Sequence, residues 1–324
     1  MTDFTMTDFT ITKDFPKSEI EFDARFTKPE ECYEYLFKHK WPEGFVCSKC
    51  NNQKYWLSSR KLYICTNCEH QHSLTAGTIM EGSKKPITYW FKAMWWFTTR
   101  KSGVNAVNLK ELLGLGSYGT AWTWLQKLRR CTIRQNRTKL SGRVEVDEFL
   151  IGGQRSGKRG RGADGKMIVA VAVERDDTKK MIGRIRLHVA LDFSGYSLET
   201  FILNNIEDGA TISTDKWNGY NGVKDKGYQH EITNQSKSKN YDKLHGAHLV
   251  TTLVKRLVRS TFQGRFEPKY LQNYLDEYVF RFNRRKSSNI GMKFMRIVQQ
   301  AVNTAPINWK KVQWDIDPLS EFYA

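Results

Sequence analysis

Nowhere in the 324 residues is there an apolar run of the roughly 20 residues that a bilayer span needs. The opening stretch, MTDFTMTDFTITKDF, also lacks the basic-then-apolar order of a signal peptide. A membrane protein or an exported one is not expected; the expectation is a cytoplasmic protein with no membrane partner. Cysteine is scarce at six residues, too few and too unevenly placed for a disulfide-stapled scaffold. Acids are short as well: 34 Asp and Glu stand against 52 Lys and Arg, a formal charge of +18. That imbalance points to a polyanionic partner, nucleic acid first and a membrane surface second, with a merely soluble basic protein as the plain alternative. The length allows a substantial core and two or three domains.

What is present begins with a tandem MTDFT repeat of little structural content, so residues 1–27 are expected to be a tail. Residues 28–40 read as a short helix with Cys32, Tyr33, Tyr35, Leu36 and Phe37 on or near its apolar side. Four of the cysteines form two C-x-x-C pairs, Cys47 with Cys50 and Cys65 with Cys68, with fourteen residues between the pairs. An aromatic or aliphatic residue precedes each pair, so each knuckle can sit at a hairpin tip with its thiolates converging on one ion. Four thiolates complete a tetrahedral zinc site, so the zinc is expected to be structural and to replace a core in a zinc ribbon over 28–82. His70 and His72 then read as surface histidines. Cys32 and Cys131 read as reduced structural thiols.

From Pro86 to Ile133 the pattern is helical. Trp90, Phe91, Met94, Trp95 and Phe97 recur at helical spacing, a second helix runs from about Asn105 to Leu113 and stops at Gly114, and TAWTWLQKLRR forms a third. Two helices, a glycine-containing turn and a helix ending in Lys127, Arg129 and Arg130 describe a helix-turn-helix over 83–138, with those three cations offered to DNA. Its aromatic residues, Trp122 and Trp124 included, read as core.

Beyond Leu140 the composition turns to strands. In RVEVDEFLIGG, residues 143–153, Val144, Val146 and Leu150 point to one face, while Glu145, Asp147, Phe149 and Ile151 point to the other. A carboxylate such as Asp147 in an apolar strand is costly unless a metal, a cation or hydrogen bonds compensate it. On this stretch alone, a satisfied structural acid is the plainer reading. The loop QRSGKRGRGADGK, carrying Arg155, Lys158, Arg159 and Arg161, is either a solvated hairpin tip or a contact to a phosphate backbone. A hairpin follows around Asp176 and Asp177, then a helix over 197–206 capped by Ser197, a fourth strand that ends at Asp215, and a short fifth near His230 to Thr233. The first three strands follow one another without helical crossovers, which excludes a doubly wound sheet.

A helix from near Ala247 carries Leu249, Val250, Leu253, Val254 and Leu257 as its apolar side, with His248, Thr252, Lys255 and Arg259 along a polar stripe. An acid in the first strand, an acid after the fourth, and His248 thirty-three residues later with Lys255 seven positions beyond make a specific order. With the stretches VEVDEFLIGG, STDKWNGY and YLDEYVFRFNRR, it resembles the DDE transposases of bacterial insertion sequences. The closer resemblance is to the group that joins an N-terminal zinc ribbon and helix-turn-helix to a ribonuclease H-like domain, and it spans roughly residues 30 to 290.

The resemblance implies an α/β fold class: a ribonuclease H-like catalytic domain over 139–290, with a mixed five-stranded sheet and helices, and a C-terminal helix and tail over 291–324. It implies that Asp147, Asp215 and His248 bind two Mg or Mn ions for cleavage and transfer of DNA strands, with Lys255 on a phosphate and Arg259 beside it on DNA. It implies double-stranded DNA as partner, both the terminal inverted repeats and the target, with a homodimer or larger synaptic assembly and a nucleoid location when bound. His248 stands where the commonest family residue is Glu, so a catalytically inactive DNA-binding regulator is the alternative. A ribonuclease H-like nuclease on RNA hybrids is disfavoured by the N-terminal DNA reader.

The last third is helical. After Pro268, residues Tyr270, Leu271, Tyr274, Leu275, Tyr278, Val279 and Phe282 form a packing face. Arg281, Arg284 and Arg285 read equally as DNA contacts or as charges complementing a helix C-terminus. Glu277 is a poorly spaced substitute for the third ligand, and residues 292–302 form one more helix.

Overall fold

The computed structural model describes residues 14–134, 137–152, 166–176, 178, 181–233, 244–264, 266–308, 310 and 312. The chain divides into one unit of residues 1–99 with 287–306, and a second of 100–286 with 307–324.

In the first unit, α1 (Glu19–Arg25) is capped by the Ser18 side chain, which accepts from Glu21 N. Seven residues with a single buried one, Phe22, give too little periodicity to be read in advance. α2 (Pro29–Lys40) opens on proline and buries Cys32, Tyr35 and Leu36. β1 (Tyr55–Leu57), β2 (Tyr63–Cys65) and β3 (Gln71–His72) form an antiparallel sheet in that order. α3 (Ile87–Thr99) is apolar nearly all round and packs on both α2 and α9 (Gly291–Asn303). Phe294 of α9 is the hub: its ring centroid lies 5.4 to 5.9 Å from those of Phe22, Phe26, Tyr35, Phe91 and Trp95.

The division between units therefore falls at residue 99, inside the 83–138 stretch read above as one domain, and α9 belongs with the first unit. The cause is the shape of α3. A helix with apolar residues on several sides needs several partners, and periodicity alone does not say which ones.

In the second unit, α4 (Ala106–Leu113) starts at Asn105, whose side chain accepts from Asn108 N, and ends at Gly114 in the left-handed region with φ 58°. α5 (Tyr118–Arg130) follows. The sheet comprises β4 (Arg143–Ile151), β5 (Met167–Asp176), β6 (Met181–Ala190), β7 (Thr211–Thr214) and β8 (Gln229–Ile232), in the order β6-β5-β4-β7-β8. The first three pair antiparallel, and β7 and β8 run parallel to β4. This mixed sheet is the ribonuclease H-like arrangement.

Both faces of the sheet are covered, and strand alternation assigns them. Val144 and Val146 of β4, with Ala170 and Ala172 of β5, face α6 (Gly195–Asn205) and Tyr220. Phe149, Ile151, Val169, Val171 and Val173 face α7 (His245–Thr261) and α8 (Leu271–Asn283). Two local readings are corrected. The cap of α6 is Ser194, which accepts from Ser197 N at 3.3 Å; the Ser197 hydroxyl instead donates to Asp192 at 2.7 Å. On α7 the core-facing row is Ala247, Val250, Val254 and Val258, so Leu249, at 38% exposure, turns away from the apolar side assigned to it.

Candidate metal centre and active site

In the ribbon the four thiols converge. Cys47 Sγ lies 3.6 Å from Cys68 Sγ, Cys50 Sγ lies 3.5 Å from Cys65 Sγ, and all four are within 4.8 Å of one another. Sulfurs about 2.3 Å from a tetrahedral zinc stand about 3.8 Å apart, so the quartet fits a structural zinc. Backbone amides of Lys49 and Asn67 donate to Cys47 and Cys65, each at 3.4 Å, which supports thiolate charge at these positions. His72 places Nε2 3.4 Å from Cys47 Sγ, beside the quartet, with four sulfurs already supplying a full ligand set.

Asp147 sits on β4, the central strand, with its side chain 16% exposed. Its carboxylate meets His248 of α7: Asp147 Oδ2 is 3.4 Å from His248 Nε2. Ligand atoms sharing one ion at about 2.1 Å fall about 3 to 3.5 Å apart, so this carboxylate and imidazole fit as two donors to a divalent ion. Asp215 follows β7 directly. The parallel ladder pairs Glu145 with Ser213, two residues before Asp147 and Asp215 respectively, and both acids act on the buried Tyr220. Asp215 Oδ1 accepts from Trp217 N at 2.9 Å, which fixes the turn after the strand. Among the described residues, the cysteines are the one set of three or more ligating side chains gathered within 4.8 Å, so Asp147, Asp215 and His248 stand more openly than that.

Lys255 lies two turns beyond His248 with Nζ 5.4 Å over the Phe149 ring. Burial and the neighbouring Arg259 lower its pKa, while Asp147 acts in the opposite sense.

The remaining cations fall into three sets. Arg129 is corrected: it is 2% exposed, its Nε is 2.7 Å from Glu277 Oε2, and α5 turns it inward toward α8. It is not placed to meet DNA. Arg130 is exposed at the end of α5, and Lys127 is half-buried. At the end of α8, Arg284 donates to Phe280 O at 3.2 Å, and Arg285 donates to Phe282 O, Gly183 O and Ile182 O. These two charges thus complement carbonyls, and Arg285 ties α8 to β6. Arg155, Lys158, Arg159 and Arg161 lie outside the described residues.

Sequence reasoning missed three groups around the site. Glu145 is buried at 3% exposure against the start of α7, Glu148 accepts from the Tyr220 hydroxyl at 2.5 Å, and Tyr220 itself is fully buried. Burial first, then Glu148, Asp147 and Asp215, raise the Tyr220 pKa well above that of a free phenol, which keeps it a donor. The acids at 145 and 148 were visible in VEVDEF; their partners, up to 102 residues away, were not.

Two family models match the chain. One, described as an ISXO2-like transposase domain, covers residues 139–283, and the other, a transposase zinc-ribbon domain, covers residues 28–71. The fold and the order of its parts define a transposase with a ribbon ahead of its DDE domain. Residues 139–283 thus match the ISXO2-like transposase domain family, and residues 28–71 the zinc ribbon of transposases. No curated protein matches the chain.

Proposed function

We propose that this transposase binds the terminal inverted repeats of its own element and cleaves and joins DNA strands there with divalent ions held by Asp147, Asp215 and His248. The observation that carries the reading is the 3.4 Å approach of Asp147, on the central strand, and His248, on α7, with Asp215 directly after the parallel neighbouring strand. Held by these three residues, divalent ions would supply activation of a water or a DNA 3′-hydroxyl for in-line attack at phosphorus and charge to stabilise the departing oxygen.

The chain's own residues do the positioning. β4 carries one carboxylate and the end of β7, its parallel neighbour, carries the other, while α7 brings the imidazole down onto Asp147. Lys255, on the same helix, would hold a phosphate of the DNA end near them. Arg130, Lys127 and Arg259 supply further positive charge for the backbone, in keeping with the net +18.

The test is incubation of the full chain with end-bearing duplex and Mg or Mn, followed by mapping of the cut strands. Asp147→Ala and Asp215→Ala are expected to abolish cleavage and retain end binding. Cleavage that survives either change refutes the assignment. End binding without metal-dependent cleavage by the natural chain makes it a DNA-binding regulator instead.

A further inference from the structure

We infer that Glu145 and Glu148, the acids that bracket Asp147 on β4, are positioning residues, each tying down the segment that carries one of the two partners of Asp147. The inference rests on the reading of Asp147, Asp215 and His248 as one metal site.

Strand alternation sends the two acids to opposite layers. Glu145 points toward α7. Its Oε2 accepts from Ala247 N at 2.9 Å, one residue before His248, and its Oε1 is 3.1 Å from Arg175 Nε. The amide is one of the donors that a helix start leaves without an intrahelical partner, and the positive end of the helix favours a carboxylate there. The fit is close. A Cβ at Gly246 would lie 2.9 Å from Glu145 Oε2, 3.1 Å from Val173 Cγ1 and 3.2 Å from the Arg175 guanidinium. The first turn of α7 is therefore seated on the strand through this carboxylate, and His248 is presented to Asp147 from that seat.

Glu148 points to the other layer and accepts from Tyr220 at 2.5 Å. Tyr220 belongs to the 3-10 segment Asn218–Lys226, which begins three residues after Asp215. The stretch from Asp215 to Tyr220 is held at one end by the β7 ladder and the Trp217 amide, and at the other by Glu148. One strand thus fixes both elements that approach its central acid. Neither bracketing acid need touch the ion to govern its affinity; loss of such outer partners typically weakens metal binding about 10–100-fold.

The experiment is Mn²⁺ binding by the zinc-loaded full chain, read as free Mn²⁺ by electron paramagnetic resonance, with circular dichroism and zinc content as controls for folding. The natural chain is expected to bind Mn²⁺ and Asp147→Ala to lose it. Tyr220→Phe, which removes one oxygen and keeps the ring, and Glu145→Ala are each expected to weaken binding about 10–100-fold with the fold retained. Glu148→Ala combined with Tyr220→Phe is expected to be little worse than either alone, because the two act through one hydrogen bond. Should Glu145→Ala fail to fold, Gly246→Ala displaces the same carboxylate and carries that half of the test. Natural Mn²⁺ affinity in the folded Tyr220→Phe and Glu145→Ala chains, with Asp147→Ala still inactive in binding, overturns the positioning roles and leaves the metal site standing. Natural affinity in Asp147→Ala removes the metal site, and the positioning roles with it.

Discussion

Arg129 and Glu277, 148 residues apart in sequence, meet at 2.7 Å with both side chains almost completely buried. Arg281 binds the other oxygen of the same carboxylate, and the Arg129 guanidinium stacks 4.5 Å from the Tyr274 ring centroid. One acid thereby joins α5 to α8. Removing Arg129 leaves the buried Glu277 carboxylate with Arg281 as its remaining cation and takes away a hydrogen bond to a charged group, so Arg129→Ala is expected to cost about 1–3 kcal/mol of stability in urea unfolding. Arg130→Ala, one residue away and exposed, is expected to change stability by less than about 0.5 kcal/mol. Equal effects would contradict the inward placement of Arg129.

Zinc removal should act on the first unit before the second. One zinc per chain is expected by atomic absorption, and Cys65→Ser or a strong chelator should abolish it and open β1–β3 to proteolysis, because the small sheet has little apolar core of its own. The sheet of the second unit, with covered faces on both sides, should keep its circular dichroism under the same treatment. A ribbon that stays protected after the metal has gone would show that the aromatic packing, and not zinc, holds it.

Metal preference follows from the nitrogen donor. Imidazole suits transition metals better than it suits Mg, which prefers oxygen. Strand cleavage is therefore expected to be at least as fast with Mn as with Mg, and His248→Glu is expected to move the preference toward Mg. A natural chain active only with Mg would count against His248 as a ligand.

Stability is expected to fall on mild acidification. Burial lowers the pKa of His39 and of His188 from 6.5 to about 4. Between those values the unfolded chain binds a proton at each position and the folded chain does not. This contribution is complete above about pH 6.5 and is lost as pH falls toward about 4. Urea midpoints at pH 7 and pH 5 measure the slope, and His39→Phe and His188→Phe should flatten it in the first and second units respectively. An unchanged slope in both variants would show that other groups govern it.

Periodic features were legible before any coordinates: the cysteine pairs, both helix boundaries at Asn105 and Gly114, and the alternation that puts Glu145 and Asp147 on one face of β4. Arg129 was legible too, since it lies four residues after Leu125 and eight after Ala121, on the row that α5 buries. It was misread because its neighbours in sequence are cations. Contacts across long loops left no such trace: nothing in VEVDEF says that Glu145 meets Ala247, or that Glu148 meets Tyr220. Those pairings depend on where α7 and the 3-10 segment come to rest, which is a property of the assembled sheet and its two covering layers.

The packing of Phe294 among Phe22, Phe26, Tyr35, Phe91 and Trp95 also orders events at the ribosome. A nascent chain generally folds its leading part first. Here the leading part lacks its hub until α9 has left the exit tunnel, by which time residues 100–286 of the second unit have been synthesised. A chain cut short before Gly291 would carry a complete sheet of the second unit and an unfinished first one. Full assembly of the first unit is in this way reserved for chains translated through α9.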